Sequence, residues 1–427
     1  MTPAPEAPSR PRVLMVAYHY PPCVGSSGIQ RALTFSRYLP ECGWDPIVLT
    51  AHPRAYEQSG KDQLKDIPAG VPVHRAFALD ASRHLAVKGR YLGLTAIPDR
   101  WITWALGAIP AGVRLVRRHR PKAIWSTYPI ATAHLIGYWL HRLTGLPWIA
   151  DFRDSMTEEG YPSDPRQFRA FRKIERRAME RAAKVVFTTP GAVRMYQERY
   201  PEAPRDKFVV LPNGYDEAPF AEAERDLPPR PAGRPLTLVH SGILYPSERD
   251  PRPFFDALAE LKRTGVVDAK SLRIVLRATG HDEVHAPEIK KRGIEDLVAL
   301  EPQVPYREAL REMLTADGLL LFQASNCNHQ VPAKVYEYFR ARRPVLSLTD
   351  AHGDTASVLR DAGIDTILPL DDAPAIARGL TAFLAQARDR TAPLVRAGEV
   401  ERYSRRGRTG ELAGLLGFVR PAAHPGD

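Results

Sequence analysis

Short, continuously apolar runs alternate along the chain with longer segments whose apolar residues recur at helical spacing. The first run, residues 13–18, precedes a loop rich in proline and glycine, a helical pattern from Ile29 to Leu39 and a second run at 46–50. Continuous apolar runs are typical of strands buried on both faces of a parallel sheet. This order predicts a βαβ unit whose helix ends at Gly43 in the left-handed conformation.

The same alternation continues through both halves of the chain and predicts two open α/β domains, each with a parallel sheet covered by helices. Further strands are predicted at residues 123–126, 148–151, 185–188, 208–211, 236–240, 272–278, 318–322 and 344–348. Further helices are predicted from about residue 131 and at 167–183, 253–263, 334–342 and 410–419.

A segment rich in proline separates the two halves. Residues 226–235, DLPPRPAGRP, interrupt all periodicity and are predicted to be a linker. We therefore expect a disordered leader at 1–11, an N-terminal Rossmann-like domain at 12–225 and a C-terminal one at 236–400. A C-terminal helix that packs back and a tail are expected at 401–427.

Charge is unevenly distributed between these halves. Residues 1–230 carry 33 Lys and Arg against 23 Asp and Glu, whereas residues 231–427 carry 27 against 26. The basic excess either meets an anionic partner or consists of ordinary solvated side chains. The three cysteines lack CxxC spacing, which excludes a disulfide scaffold and suits a reducing compartment. Because the N-terminus has no apolar core and the longest uncharged stretch divides into strand, turn and helix, we expect a cytoplasmic protein without a transmembrane helix.

Small residues and cations follow the predicted strands where open parallel sheets bind ligands. Gly28 begins a helix after the first strand, and Ser241 and Gly242 follow the first strand of the second domain. Backbone N–H groups at such turns can face an anion. Arg249, in the loop after Gly242, can pair with a diphosphate, and the alternative is a solvated surface arginine. The loop is not a GxGxxG motif, which argues against a nicotinamide dehydrogenase.

Lys334 and Glu337 lie in the first turn of a predicted helix. Pro332 is expected to belong to that turn as well. A cation gains nothing from the helix dipole there, so Lys334 is better explained by a bound anion. The alternative is a simple surface pair, because residues three apart share a helix face.

Together these segments resemble family 4 of the retaining glycosyltransferases, which have the two-domain GT-B fold. The most specific are Pro-Ala-Lys-Val-Tyr-Glu-Tyr at 332–338 and Asn-Gly-Tyr-Asp at 213–216, joined by Trp-Ile-Ala-Asp-Phe-Arg-Asp at 148–154. The resemblance covers roughly residues 12–420. It implies two Rossmann-like domains whose parallel sheets face each other across a cleft. The C-terminal domain would bind a nucleotide-diphosphate sugar and the N-terminal domain the acceptor.

The resemblance also implies roles for single residues. Glu337 would bond the ribose hydroxyls, Arg249 and Lys334 would neutralise the diphosphate leaving group, and Gly28 would approach the same phosphates. The main chain of Gln303 and Val304 would hold the base.

One position departs from the family pattern. Many members carry two glutamates separated by seven residues, and the first of them touches the donor sugar. His329 occupies that first position, eight residues before Glu337, so the donor sugar stays open.

No Asp-x-Asp motif occurs in the sequence. We therefore expect no metal and no cofactor besides the co-substrate, with Arg249 and Lys334 in place of a metal ion. For a general base the candidates are His134, at the start of a helix and expected at the cleft edge, and Asp151, at the end of a strand. The alternatives are a hydrogen-bonded helix histidine and an internal ion pair.

A basic segment in the first half contains aromatic and apolar residues. Residues 80–122 carry nine Lys and Arg against two Asp, with Trp101 and Trp104 among them. Such a segment, at 83–122, suits an anionic membrane surface and a lipid-linked acceptor, and the alternative is a core helix with a solvated basic face. The aromatics lie among apolar residues, so we expect no nucleic acid partner.

The sequence thus predicts a metal-independent, retaining hexosyltransferase that acts on a saccharide or lipid-linked acceptor in cell-surface polysaccharide biosynthesis. The acceptor site would lie at the inner face of the membrane. Other predictions left open are a natural-product glycosyltransferase, a nucleotide-sugar epimerase of the same fold and a non-catalytic sugar-nucleotide binding protein. An epimerase would convert the donor without acceptor, and a non-catalytic protein would leave the donor intact.

Overall fold

The protein contains two parallel β-sheets. The structure, a computed structural model, describes residues 10–24, 28–60, 62–86, 93–225, 227, 233–396 and 398–419. Within these residues the strands of the first sheet are β1 (Arg12–Val16), β2 (Asp45–Ala51), β3 (Val73–Ala76), β4 (Ala123–Thr127), β5 (Trp148–Arg153), β6 (Lys184–Phe187) and β7 (Phe208–Val210). Those of the second are β8 (Leu236–Ser241), β9 (Leu272–Arg277), β10 (Val298–Glu301), β11 (Gly318–Phe322), β12 (Val345–Leu348) and β13 (Ile367–Leu368).

Helices connect these strands. In chain order they are α1 (Gly28–Tyr38), α2 (Ala81–His84), α3 (Thr103–His119), α4 (Ala131–Thr144), α5 (Pro165–Arg181), α6 (Pro190–Arg199), α7 (Glu217–Glu224), α8 (Arg252–Arg263), α9 (Asp282–Lys291), α10 (Tyr306–Thr315), α11 (Lys334–Ala341), α12 (Asp354–Asp361), α13 (Ala373–Asp389) and α14 (Arg405–Val419). After α1 a short 3₁₀ turn, Leu39–Cys42, ends at Gly43, whose φ of 81° confirms the predicted left-handed stop.

Both sheets have the doubly wound strand order. The first runs β3-β2-β1-β4-β5-β6-β7 and the second β10-β9-β8-β11-β12-β13. Every neighbouring pair is parallel. The order reverses between β1 and β4 and again between β8 and β11, and such switch points open a crevice at the carboxyl ends of the strands. The α/β class predicted from the sequence is confirmed.

Each sheet buries side chains on both faces, as the continuous apolar runs predicted. Leu14 and Val16 of β1 pack among residues of α3 and α4, whereas Val13 and Met15 pack with α1 and α14. Three strands, β3, β10 and β13, were missed in the sequence. Most of their side chains are only partly buried, so they carry no continuous apolar run.

The chain divides into two compact units. The first comprises the described residues of Met1–Pro212 and Arg405–Asp427, and the second is Asn213–Ser404. Helix α14 packs on α1 within the first unit. Helix α7, assigned to the first domain from the sequence, packs within the second unit through Phe220, and its Glu217 pairs with Arg340 of α11. Residues 226 and 228–232 of the predicted linker lie outside the described residues.

Pro332 is a small correction to the sequence analysis. Helix α11 begins at Lys334, with Ala333 as its N-cap, so Pro332 precedes the helix instead of occupying its first turn. Lys334 and Glu337 nevertheless lie in the first turn as predicted.

Candidate functional site

A cavity opens at the carboxyl edge of the second sheet. Its volume is about 690 Å³, and it is lined by the segments that follow β8, β9 and β10 and by Tyr306 of α10. Four of the residues named from the sequence line it: Ser241, Gly242, Gln303 and Val304. This edge belongs to the strands beside the β8/β11 switch point, where an open α/β sheet binds its ligand.

Gly242 allows Lys334 to approach the end of β8. Its φ of 119° is a conformation that other residues rarely adopt. A Cβ atom at this position would lie 2.8 Å from Nζ of Lys334. The backbone conformation therefore favours glycine, and a larger residue would displace the ammonium of Lys334, which lies directly against the backbone that lines the cavity.

His240 holds Lys334 from the other side. The imidazole has no exposure to solvent, its Nδ1 lies 2.9 Å from the carbonyl oxygen of Leu320, and its Nε2 lies 3.1 Å from Nζ of Lys334. Nε2 also lies 3.1 Å from the carbonyl oxygen of Gly242, so each ring nitrogen faces a carbonyl oxygen that can only accept. Burial lowers the pKa of His240 well below its ordinary value, and Lys334 lowers it further, so the imidazole is neutral.

Lys334 titrates near neutrality in this environment. Burial is the main cause that lowers its pKa to about 7, and the positive charge of Arg249 acts in the same direction. Glu337, one turn along α11, acts in the opposite direction. Two cations therefore lie close together at the edge of the cavity. A bound anion would offset both the cost of burying the lysine charge and the repulsion between the two cations.

Arg249 is held by its own loop. Its Nη1 donates to the carbonyl oxygen of Ile243 at 2.9 Å, and its guanidinium carbon lies 5.5 Å from the ring centroid of Tyr245, within the range of a cation–π contact. Glu337 accepts a hydrogen bond of 2.7 Å from the hydroxyl of Tyr306, which lines the cavity. The three charged residues predicted from the sequence are not themselves part of the cavity lining, but each lies against a residue that lines it.

Residues that the sequence analysis missed fix the loop of Gln303 and Val304. Arg277, the last residue of β9, donates to both carboxylate oxygens of Glu312, at 2.5 and 2.7 Å, and to the carbonyl oxygen of Pro302 at 2.7 Å. This pairing anchors the loop after β10. The available signal was the position of Arg277 at the carboxyl end of a strand next to β8.

His329 lies in a different segment, after β11. The buried side chain of Gln323 holds this segment in place. Its amide donates to the carbonyl oxygens of Cys327 and Gln330, both at 3.0 Å. Among the described residues His329 is not part of the cavity lining. Its contact with a donor sugar stays a prediction.

In the first unit, Gly28 is the buried first residue of α1. Residues 25–27, the rest of the small-residue loop considered in the sequence, lie outside the described residues.

His134 lies in the core and not at an accessible edge. Its side chain has no exposure to solvent, and its Nδ1 lies 2.8 Å from the hydroxyl of Ser126, which also accepts from Trp148 Nε1 at 2.8 Å. Burial lowers its pKa to about 3. A side chain enclosed in this way cannot take a proton from a substrate, so the general-base assignment does not suit His134.

Asp151 forms a buried ion pair. Its carboxylate, fully shielded from solvent, accepts from Nε and Nη2 of Arg31 at 2.7 and 3.1 Å. Arg31 also donates to the carbonyl oxygens of Leu211 and Pro212, at 3.0 and 3.2 Å. Asp151 therefore ties β5 to α1 and to the segment after β7, and this bidentate contact uses both carboxylate oxygens. The internal ion pair weighed from the sequence describes it better than a general base.

Metal-binding clusters and membrane-spanning helices are both absent from the part of the chain that the structure describes. There, no three His, Cys, Asp or Glu side chains lie together in a way that could hold a metal ion. Likewise, no helix in those ranges has the length and apolar character needed to cross a bilayer.

Residues 28–214 match the family model of the glycosyl transferase 4-like domain. No curated protein sequence matches the chain. The resemblance to family 4 glycosyltransferases is thus confirmed for the first unit, whereas retention of configuration stays a prediction.

Solved structures show the same fold over almost the whole chain. Sucrose-phosphate synthase from Thermosynechococcus elongatus is 14% identical with a TM-score of 0.61, covering 96% of this chain and 98% of its own. Trehalose 6-phosphate synthase from Burkholderia multivorans is 12% identical with a TM-score of 0.61, covering 96% and 99%. Anabaena HepE in complex with UDP and glucose is 12% identical with a TM-score of 0.58, covering 96% and 99%. At these identities the likeness shows the fold, which is the GT-B fold predicted from the sequence.

The depressed pKa of Lys334 gives a testable dependence of stability on pH. Its pKa of about 7 lies well below the ordinary pKa of a lysine, so above pH 7 the unfolded chain binds more protons at this group than the folded one. Stability attributable to this group therefore rises from about pH 7 upward. In urea unfolding, the free energy of unfolding of the native chain minus that of Lys334→Met should increase between pH 7 and pH 9. The increase should be at most about 1.4 kcal/mol per pH unit.

The matched control is Lys290→Met, at an exposed lysine of α9. Its free energy of unfolding relative to the native chain should stay constant over the same range. A difference for Lys334→Met that is equally constant would contradict the environment described for Lys334.

Proposed function

From the glycosyl transferase 4-like domain at residues 28–214 and the cation site of the second unit, we propose that the protein is a glycosyltransferase that uses a nucleotide-diphosphate sugar. The observation that carries this proposal is the convergence of Lys334 and Arg249 on the cavity edge at Gly242. A solved structure of the same fold, Anabaena HepE, is described in complex with UDP-glucose, which supports the same class of donor for this chain.

The proposal assigns each part of such a donor to a part of the cavity and its edge. A volume of about 690 Å³ lies within the roughly 300–1,000 Å³ typical of small-molecule sites. The diphosphate would lie against Lys334 and Arg249, beside the backbone of Ser241 and Gly242. Glu337 would accept hydrogen bonds from the ribose hydroxyls, and the loop that Arg277 anchors would hold the base.

The chemistry that these residues support is departure of a diphosphate. Breaking the anomeric C–O bond leaves the electron pair on the diphosphate and positive charge on the sugar. Lys334 and Arg249 would stabilise the negative charge as it develops, in a site where neither cation must reorganise. We propose retention by attack of the acceptor on the same face of the sugar, which needs no enzymatic nucleophile. His134 and Asp151 are not part of this proposal, because both are enclosed in the first unit.

Variants at the three charged residues test the donor site. Each of Arg249→Ala and Lys334→Ala removes a charged hydrogen-bond donor, a loss of about 1.5–3 kcal/mol. Calorimetric affinity for UDP should fall about ten- to hundredfold in each, and Glu337→Ala should weaken it as well. Arg263→Ala, at an exposed arginine of α8, is the matched control and should bind as the native chain does. Native affinity in all three site variants would refute the assignment.

The two cations also lead us to propose that no metal is required. Turnover should therefore continue in EDTA. It is measured as the nucleoside diphosphate released from the donor. The donor is chosen beforehand with a thermal-shift panel of UDP-, GDP-, ADP- and dTDP-sugars. Loss of turnover in EDTA that manganese restores would contradict metal independence.

For the acceptor we propose a lipid-linked saccharide of cell-surface polysaccharide biosynthesis. What supports this is one surface of the first unit, formed by α3, α4 and α5, which pack side by side. Leu106 of α3 is 74% exposed and Leu143 of α4 is 58% exposed. Exposed basic side chains accompany them on all three helices: Arg114, Arg117, Arg118, Arg142, Arg169, Lys173 and Arg176. Apolar side chains among exposed cations suit the anionic inner face of a membrane. Residues 87–92 of the segment predicted from the sequence lie outside the described residues.

Vesicle flotation tests this surface. The native chain should float with vesicles that contain phosphatidylglycerol and much less with phosphatidylcholine alone, because the cations attract anionic headgroups. The triple variant Arg114→Glu, Arg117→Glu and Arg118→Glu should lose this preference. Val266→Ser, at an exposed apolar residue of the second unit, is the control and should float normally. Equal recovery of the native chain with both vesicle types would remove the membrane proposal.

A further inference from the structure

Arg153 has an unusual backbone conformation at the end of β5. Its φ is 62°, in the left-handed region where residues other than glycine, asparagine and aspartate are uncommon. The register between β5 and β6 shifts at the same point, between Asp151 and Arg153. Backbone strain of this kind clusters at ligand-binding sites.

The guanidinium of Arg153 is buried and incompletely bonded. The residue is 8% exposed, and its Nε has no hydrogen-bond partner among the described residues. Nη1 donates to the carbonyl oxygen of Tyr128 over a long 3.4 Å. Within the described ranges, no carboxylate lies close enough to Arg153 to form an ion pair. A buried guanidinium left in this state is costly unless a ligand completes its bonding.

The positive charges around Arg153 outweigh the carboxylates that are free to pair with it. Burial lowers its pKa, and Arg31 and Arg405 lower it further. Two carboxylates act in the opposite direction, but that of Asp151 already pairs with Arg31, and Asp154 is exposed to water.

Two neighbours add polar groups to the same place. Burial and the charge of Arg153 lower the pKa of His19 to about 4, so its imidazole is neutral. Arg405, at the start of α14, donates to Oε1 of Gln30 on α1 at 3.3 Å. His19 follows β1, Tyr128 follows β4 and Arg153 ends β5, so these groups share the carboxyl edge of the first sheet beside its switch point.

We propose that Arg153, with Arg405 and His19, binds an anionic group of the acceptor, a phosphate or diphosphate ester. An anion at this place would accept charge-assisted hydrogen bonds from the incompletely bonded guanidinium of Arg153. This inference rests on the proposed function, because the acceptor belongs to that reaction. It adds the requirement that the acceptor be anionic where it meets the first unit.

The same chemistry could come from the diphosphate of the donor, so the experiment separates the two sources. In the full-length chain, Arg249→Ala and Lys334→Ala together disable the donor site. Farnesyl diphosphate serves as a water-soluble prenyl diphosphate, and farnesol as its uncharged counterpart. Calorimetry should show binding of farnesyl diphosphate to this double variant, and adding Arg153→Asn should weaken it by about tenfold or more. Farnesol should bind equally before and after that change.

Asparagine is chosen because it tolerates the left-handed conformation and removes the unpaired guanidinium. Arg153→Asn alone should therefore melt no lower than the native chain. Arg405→Gln is the second variant, and it should also weaken farnesyl diphosphate binding. Arg205→Asn, at an exposed arginine of the first unit away from these sites, is the matched control and should change nothing.

Each outcome decides the proposal. Unchanged affinity for farnesyl diphosphate in Arg153→Asn and Arg405→Gln overturns it, as does absence of binding to the double variant. A chain with Arg249 and Lys334 intact should bind UDP equally with and without Arg153→Asn. If Arg153→Asn weakens UDP binding as strongly, the anion is the donor's and the acceptor assignment is overturned. Failure of UDP, GDP, ADP and dTDP alike to bind the native chain would instead count against the proposed function.

Discussion

Lys334 Nζ lies 3.1 Å from Nε2 of His240, a side chain that is fully enclosed and bonded on its other nitrogen to β11. This contact fixes much of the second unit's site. It depends on the small residue at position 242, since a Cβ atom there would displace the ammonium. It also keeps the lysine partly dehydrated beside Arg249, which lowers its pKa to about 7. A diphosphate is the kind of ligand that would reverse this cost, because it supplies the missing negative charge to both cations.

The two units use buried charge in different ways. In the first, Arg31 and Asp151 neutralise each other in a bidentate pair that joins α1, β5 and the segment after β7, so their charges are internal. In the second, Lys334 and Arg249 lie together at a cavity edge, where the charge of Glu337 offsets that of Lys334 in part. Breaking a buried pair leaves a charge uncompensated, whereas an excess cation at a cavity edge can be satisfied by a ligand. This distinction separates the supporting residues from the binding residues.

The fold could be predicted from the sequence because buried parallel strands leave continuous apolar runs, and β11 has the predicted bounds. The position of Lys334 in a helix's first turn, against the dipole, drew attention to it, and the resemblance to family 4 implied its role at the diphosphate. The sequence could not decide between a catalytic and a structural role for Asp151 and His134. A polar residue after a strand looks the same in sequence whether it faces a ligand or a partner, and the partner of Asp151 is 120 residues away. Arg277 was missed for the same reason. Its role is to anchor the loop that follows a different strand, β10, and that contact is not visible in the sequence.

The diphosphate site is tested most directly by comparing the affinities of UDP and UMP by calorimetry in the native chain and in the Arg249→Ala, Lys334→Ala double variant. The native chain should bind UDP more tightly than UMP, because the two cations face the diphosphate. The double variant should lose most of this advantage, with its affinity for uridine unchanged. An equal preference for UDP over UMP in both proteins would show that Lys334 and Arg249 do not form the diphosphate site.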